Sequence, residues 1–175
     1  MKNVLPIAAC AVAVFTALSF TAMAQSSQPY SGMQNRPIKA LSDQQVVDLK
    51  AGRGMGLALA AELNGYPGPS HLLELSDKLG LKSDQNSTLK GMFDALKAET
   101  TPIRENLIVQ EERLDRLFAE KTVSEQQVKD ATRDIGETQG RLQNAHLSYH
   151  LQARAILQPS QISRYAELRG YSPER

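Results

Sequence analysis

The chain has 175 residues, 41% of them hydrophobic, with no tryptophan, four phenylalanines and a formal net charge of +1. That length suits one domain, the composition excludes a wholly disordered chain, and the shortage of aromatics excludes a large aromatic core. Nothing in the charge balance attracts nucleic acid.

Met1-Lys2-Asn3 puts one cation ahead of an apolar run over residues 4–20, and Ala22-Met23-Ala24 has the small-x-small form of a cleavage site. The pattern predicts a secretory signal peptide over residues 1–24, cleaved after Ala24. The apolar run is short for a membrane span and no second candidate follows it. Ile7-Ala8-Ala9-Cys10 has the look of a lipoprotein box, but too little apolar sequence precedes it for that use. The expected destination is the periplasm of a Gram-negative cell, with secretion as the alternative. The single cysteine, Cys10, leaves with the leader, so the mature chain is expected to carry neither thiol nor disulfide. Losing Lys2 as well leaves 19 basic residues against 19 acidic ones.

Residues 25–40 are rich in Ser, Gln, Asn and Pro without a period and predict a flexible N-terminal arm. A helix is expected to begin at Leu41-Ser42-Asp43-Gln44-Gln45, where Ser42 and Gln45 form a capping box and Leu41 a hydrophobic staple. Gly52-Arg53-Gly54-Met55-Gly56 resembles a phosphate loop only superficially. No strand precedes it and no Lys-Ser/Thr follows, so it reads as a hinge. Met55, Leu59 and Leu63 mark one face of a helix ending near Asn64-Gly65. The rigid turn Tyr66-Pro67-Gly68-Pro69 follows, then a short helix capped by Ser70 with Leu72, Leu75 and Leu79 on one side, closed by Gly80.

Residues 83–157 organise the rest. Leu89, Phe93, Leu96, Thr100, Ile103, Leu107, Gln110, Leu114 and Leu117 recur at alternating spacings of four and three, the seam of a heptad. Val128, Ala131, Ile135, Thr138, Leu142, Ala145, Tyr149, Gln152 and Ile156 repeat it. Between the two lies Glu120-Lys121-Thr122-Val123-Ser124, long enough only for a tight reversal. The prediction is an antiparallel helical hairpin with arms of roughly 50 Å at about 1.5 Å per residue. Pro159 suits the first position of a last helix bearing Ile162, Tyr165 and Leu168, ended by Gly170, with residues 172–175 a tail. No strand is expected, and the fold class is all-α. Residues 41–171 are expected to form a single helical domain. Met92, Ile108, Phe118, Leu147 and Leu151 widen the apolar stripes beyond what two helices bury, so short helices and a second copy of the chain are expected to cover them.

Two short motifs bracket the hairpin: Leu81-Lys82-Ser83-Asp84-Gln85 before it and Leu157-Gln158-Pro159-Ser160-Gln161 after it. With the leader and the cysteine-free mature chain, they make residues 41–171 resemble the periplasmic Spy/CpxP group, the "LTxxQ" proteins, and their heavy-metal-sensor relatives. The Thr of the motif is Lys82 in one copy and Gln158 in the other, so two hydroxyl caps are missing. The resemblance implies an α-helical homodimer shaped like a shallow cradle. In the chaperone branch such a scaffold holds unfolding clients without ATP; in the sensor branch it binds divalent metal and reports it to a membrane partner.

His146 and His150, spaced i and i+4, stack on one helix face where both imidazoles can reach one metal ion. His71 and Glu74, one turn apart on the short helix, are further candidate ligands for zinc, nickel, cobalt or copper, with Met92 a weaker donor. Two histidines do not complete a site, and the plainer account is a pair of polar residues flanking a seam. Client binding needs apolar surface ringed by charge. Its candidates are Met92, Ile103, Arg104, Leu107, Ile108, Arg113, Leu147 and Leu151; a mixed-charge belt over residues 104–116 runs beside Ile103, Leu107 and Ile108, and its plainer reading is a solvated face with i, i+4 ion pairs. No nucleophile–base–acid set suggests itself, so catalysis is not expected and no cofactor is required. Three functions follow as expectations: an ATP-independent chaperone for unfolded envelope proteins, a metal-binding sensor or resistance protein, and an adaptor for a membrane sensor.

Overall fold

The computed structural model describes residues 28–171. The expected leader, 1–24, the tail, 172–175, and the first residues of the arm lie outside them. Residues 28–31 form a turn of their own, closed by the Ser31 N–H donating to the Gln28 carbonyl. The unit from Gly32 onward is built from helices alone, as the sequence predicts. After a single 3-10 turn at Met33–Asn35 come α1 (Asp43–Ala51), α2 (Leu59–Glu62), α3 (Pro69–Glu74), α4 (Ser76–Leu79), α5 (Ser83–Ala119), α6 (Glu125–Ala155) and α7 (Pro159–Arg169). Among the described residues no helix is long and apolar enough to cross a membrane.

The caps fall where short-range chemistry puts them. The Ser42 N–H donates to Gln45 Oε1 at 2.8 Å and the Gln45 N–H to Ser42 Oγ at 3.1 Å, and Ser124 with Gln127 repeats the exchange at the start of α6. α5 and α6 are the hairpin arms, reversed through residues 120–124, where Lys121 takes a left-handed φ of 55°. α5 runs unbroken through Pro102, which costs one backbone hydrogen bond. Along its seam Leu89, Leu96, Thr100 and Leu107 are buried, and along α6 Ala131, Ile135, Thr138, Leu142 and Ala145.

Three expectations change. The arm is partly packed: Ile38 is 3% exposed, in a core with Leu49, Leu107, Ile108, Ile135 and Leu142, and Lys39 pairs with Asp115 at 3.0 Å. The helix expected to end near Asn64 is one turn long. Met55 and Gly56 both take positive φ, which no helix continues, and Met55, Leu59 and Leu63 face solvent. The helix expected at Ser70 is capped by Gly68 with Pro69 at its first position, and it breaks at Leu75 into α3 and α4.

A second core holds Leu72, Leu79, Leu89, Ala153 and Tyr165, with Met92, Ile156, Leu157 and Leu168 against it. Burying each of its leucines contributes roughly 1.5–3 kcal/mol. Here the two bracketing motifs meet. Gln85 Nε2 donates to Gln161 Oε1 at 2.9 Å, Gln161 Nε2 donates back to Gln85 Oε1 at 3.1 Å, and Gln85 Nε2 also reaches the Ile156 carbonyl at 2.8 Å. Each Gln oxygen accepts the amide of its own N-cap residue, Lys82 or Gln158, at 3.0 Å. The Lys82 side chain has no acceptor for the return bond and the Gln158 side chain makes none, so each of these caps is half a box closed by the glutamine.

Candidate functional site

Between the apolar cores lies a zone of buried polar groups: Glu62, Thr100, Arg104, His146 and His150. His146 and His150 belong to it because the seam of α6 slips. The heptad predicts Tyr149 and Gln152 inward after Ala145; the buried residues are His146, His150 and Ala153. A straight helix at 3.6 residues per turn drifts about 20° per heptad from a 3.5-residue repeat, about 60° over the three heptads from Val128 to Tyr149 and more than half of the roughly 100° between successive residues, so the buried face passes to the next residue. The same drift points both histidines at the turn between α2 and α3.

His150 is fixed by that turn. Its Nδ1 lies 2.7 Å from the Tyr66 carbonyl oxygen, which can only accept, so Nδ1 bears the proton and Nε2 of the neutral ring keeps its lone pair. A ring held by a carbonyl at one nitrogen with the other free is the arrangement second-shell bonds give to metal-binding histidines. Gly68 admits the ring: a Cβ there would stand 2.6 Å from Nε2. His146 is 6% exposed, and its Nε2 is buried without a hydrogen-bond partner. Burial first, then the charge of Arg104, then His150, lowers its pKa from 6.5 to about 4, so the ring is neutral at pH 7.

Glu62, which sequence reasoning missed, anchors the other side. Its carboxylate is buried, accepts the Tyr165 hydroxyl hydrogen and the Gly68 N–H at 3.3 Å, and lies 3.8 Å from His150 Nδ1 and 3.9 Å from Arg169 Nε. Burial and then this bond raise the Tyr165 pKa, keeping its phenol protonated as a donor. The only local signal is a lone acid within the apolar run from Leu57 to Leu63; the partners are set by the tertiary fold.

His71, His146 and His150 line one open cavity of about 340 Å³ together with Glu62, Met55 and Phe93. Three of the four expected metal ligands are thus brought to one cavity. Glu74 is not on its wall; it pairs with His71 Nδ1 at 3.4 Å on the exposed side. Met92 packs against the second core instead. Among the described residues no three His, Cys, Asp or Glu side chains gather closely enough to hold an ion as they stand.

The expected client surface is not one surface. Leu107, Ile108 and Arg104 are buried and Ile103 packs against the first core, because α1 and the segment around Ile38 cover that part of α5. Arg113 and Leu151 are exposed, and Met92 and Leu147 are half-buried.

A family model described as heavy-metal resistance matches residues 54–164, more than half the chain. The chain belongs to the heavy-metal resistance family. No curated protein and no solved structure matches it. The matched stretch begins in the turn before α2 and ends within α7, so Met55, Glu62, His71, His146 and His150 all lie inside it. Membership points to a function of the heavy-metal resistance or sensor type.

Proposed function

We propose that the protein binds a divalent heavy-metal ion in the periplasm and serves resistance as a sensor or buffer, without catalysis. The observation that carries this reading is a pair of histidines that line a cavity with His71, the buried Nε2 of His146 having no hydrogen-bond partner and the His150 ring being held through Nδ1 by the Tyr66 carbonyl. His146 and His150 would hold the ion. His71, half-exposed and tied only to Glu74, is the third ligand that closes the site. Imidazole nitrogens suit zinc, nickel, cobalt or copper, and the buried Glu62 carboxylate supplies negative charge behind His150.

Titration calorimetry of the mature protein with each metal tests it. One ion is expected per chain, with a tenfold or greater loss of affinity in His146→Ala/His150→Ala. Unchanged affinity in that variant for every metal refutes the site.

A second reading, an ATP-independent dimeric chaperone of the Spy/CpxP type, draws on one observation. Val47, Leu59, Leu63, Val109, Phe118 and Leu151 are each at least half exposed, more large apolar surface than a solitary helical unit needs. Near-stoichiometric suppression of light scattering by a denatured client supports it, and no effect on several clients removes it. An adaptor role toward one membrane sensor shows instead as a single partner recovered from envelope extract.

A further inference from the structure

Arg104 is 4% exposed, yet no carboxylate pairs with it among the described residues, and burial alone acts on its proton affinity, lowering it. The nearest buried acid along the helix is Glu111, two turns on, itself without an ion pair and with its pKa raised by burial. A buried guanidinium left without a counter-charge is strongly disfavoured in general. Its terminus lies at Gly52, where a Cβ would stand 2.9 Å from Nη2. The C-terminal end of α1, nine residues long, offsets part of that charge through its dipole. A helix end carries only about half a charge, and Arg104 has a cavity beside it.

That cavity holds about 90 Å³ and is lined by Arg104, Lys97, Thr100, His146, Phe93 and Gly52. The space admits a few water molecules or a small ion and no nucleotide. Lys97 and Arg104 are seven residues apart on α5, two turns along one face, and both line the cavity. No acidic residue lines it. The Thr100 hydroxyl already donates to the Leu96 carbonyl at 2.7 Å and offers no hydrogen inward.

We propose that this cavity binds a small inorganic oxyanion of the phosphate type, gripped by the Arg104 fork and closed by Lys97 at its mouth. A guanidinium matches two oxygens of a carboxylate or a tetrahedral oxyanion equally well. The second cation favours the dianion. The site is separate from the proposed metal cavity, although His146 borders both, and neither depends on the other being right.

The test uses metal-free mature protein, titrated with inorganic phosphate, sulfate, arsenate and acetate against sodium chloride of matched ionic strength. Thermal melts and calorimetry read binding. Saturable stabilisation by the tetrahedral anions is expected, with acetate at least tenfold weaker. Lys97 is exposed, so Lys97→Gln leaves the fold intact and weakens phosphate binding tenfold or more, and Arg104→Met abolishes it. If Arg104→Met does not fold, Lys97→Glu decides, because reversing the charge at the mouth abolishes binding. The proposal is overturned if phosphate acts no differently from chloride on the wild-type protein, or if Lys97→Glu binds phosphate as the wild type does. Acetate equal to phosphate refutes the tetrahedral preference. His71→Ala is expected to leave phosphate affinity unchanged while weakening metal binding, which separates the two sites.

Discussion

His146 makes stability depend on pH in a direction fixed by its burial. In the folded protein the ring resists protonation down to a pKa of about 4, against 6.5 for the free side chain. As pH falls through 6.5 the unfolded chain takes up a proton that the folded chain refuses. The folded state therefore loses stability progressively between pH 6.5 and 4, and the loss is complete below that window. Each tenfold change in proton affinity corresponds to about 1.4 kcal/mol, which sets an upper bound of about 3.5 kcal/mol. The ring borders two open cavities, whose water screens it, so about half that bound is expected. For a domain of this size, about 1–2 kcal/mol lowers Tm by roughly 3–8 °C.

Urea unfolding of wild type and His146→Gln at pH 7.5, 6, 5 and 4 measures the effect. Gln places a polar atom near Nε2 and does not titrate. The difference between the two proteins cancels other acid-sensitive groups, Glu111 among them. The stability gap should move by about 1–2 kcal/mol between pH 7.5 and 4, against the wild type as pH falls. A gap constant across that range would show that the ring titrates normally, and with it the reasoning from burial and Arg104 would fail.

Gly68→Ala puts a methyl group 2.6 Å from His150 Nε2, so the ring must leave its bond to the Tyr66 carbonyl. A loss of metal affinity of tenfold or more with an unchanged helical spectrum is expected by calorimetry and circular dichroism. Gln85→Ala and Gln161→Ala each remove both reciprocal bonds and leave the other amide only its backbone partners, at about 1–3 kcal/mol apiece for the two bonds. The double variant should cost less than the sum of the two, and additivity in a denaturant cycle would contradict the reciprocal pair. Charge also separates the two histidines: Arg104 opposes a cation at His146 while Glu62 favours one at His150. His150→Ala should therefore weaken zinc more than His146→Ala, and the reverse order would place the ion at the Arg104 end.

The hairpin was legible because its evidence is local and repeated: two heptad seams, a five-residue reversal and capping boxes whose partners are three residues apart. What escaped depends on contacts far apart in sequence. Ile38 sits in a Ser- and Pro-rich stretch that resembles an arm, and only its docking against Leu107 and Ile108 turns it into core. That docking also hides Arg104 and Leu107, so apolar residues assigned to a client surface are covered. The slip that buries His146 and His150 follows from the mismatch of 3.6 with 3.5, which a strict heptad count suppresses by construction. Glu62 has no local partner that explains its burial; Tyr165 lies 103 residues away. The two misread groups are connected. The same inward turn of α6 that carries His150 to the Tyr66 carbonyl carries His146 beside Arg104, so one imidazole gains a carboxylate behind it and the other a guanidinium. A periodic pattern identifies the face a helix buries, but the charge that face meets depends on which neighbours dock there. In this chain that difference separates a pair of histidines flanking a seam from a pair that shares a cavity wall with His71.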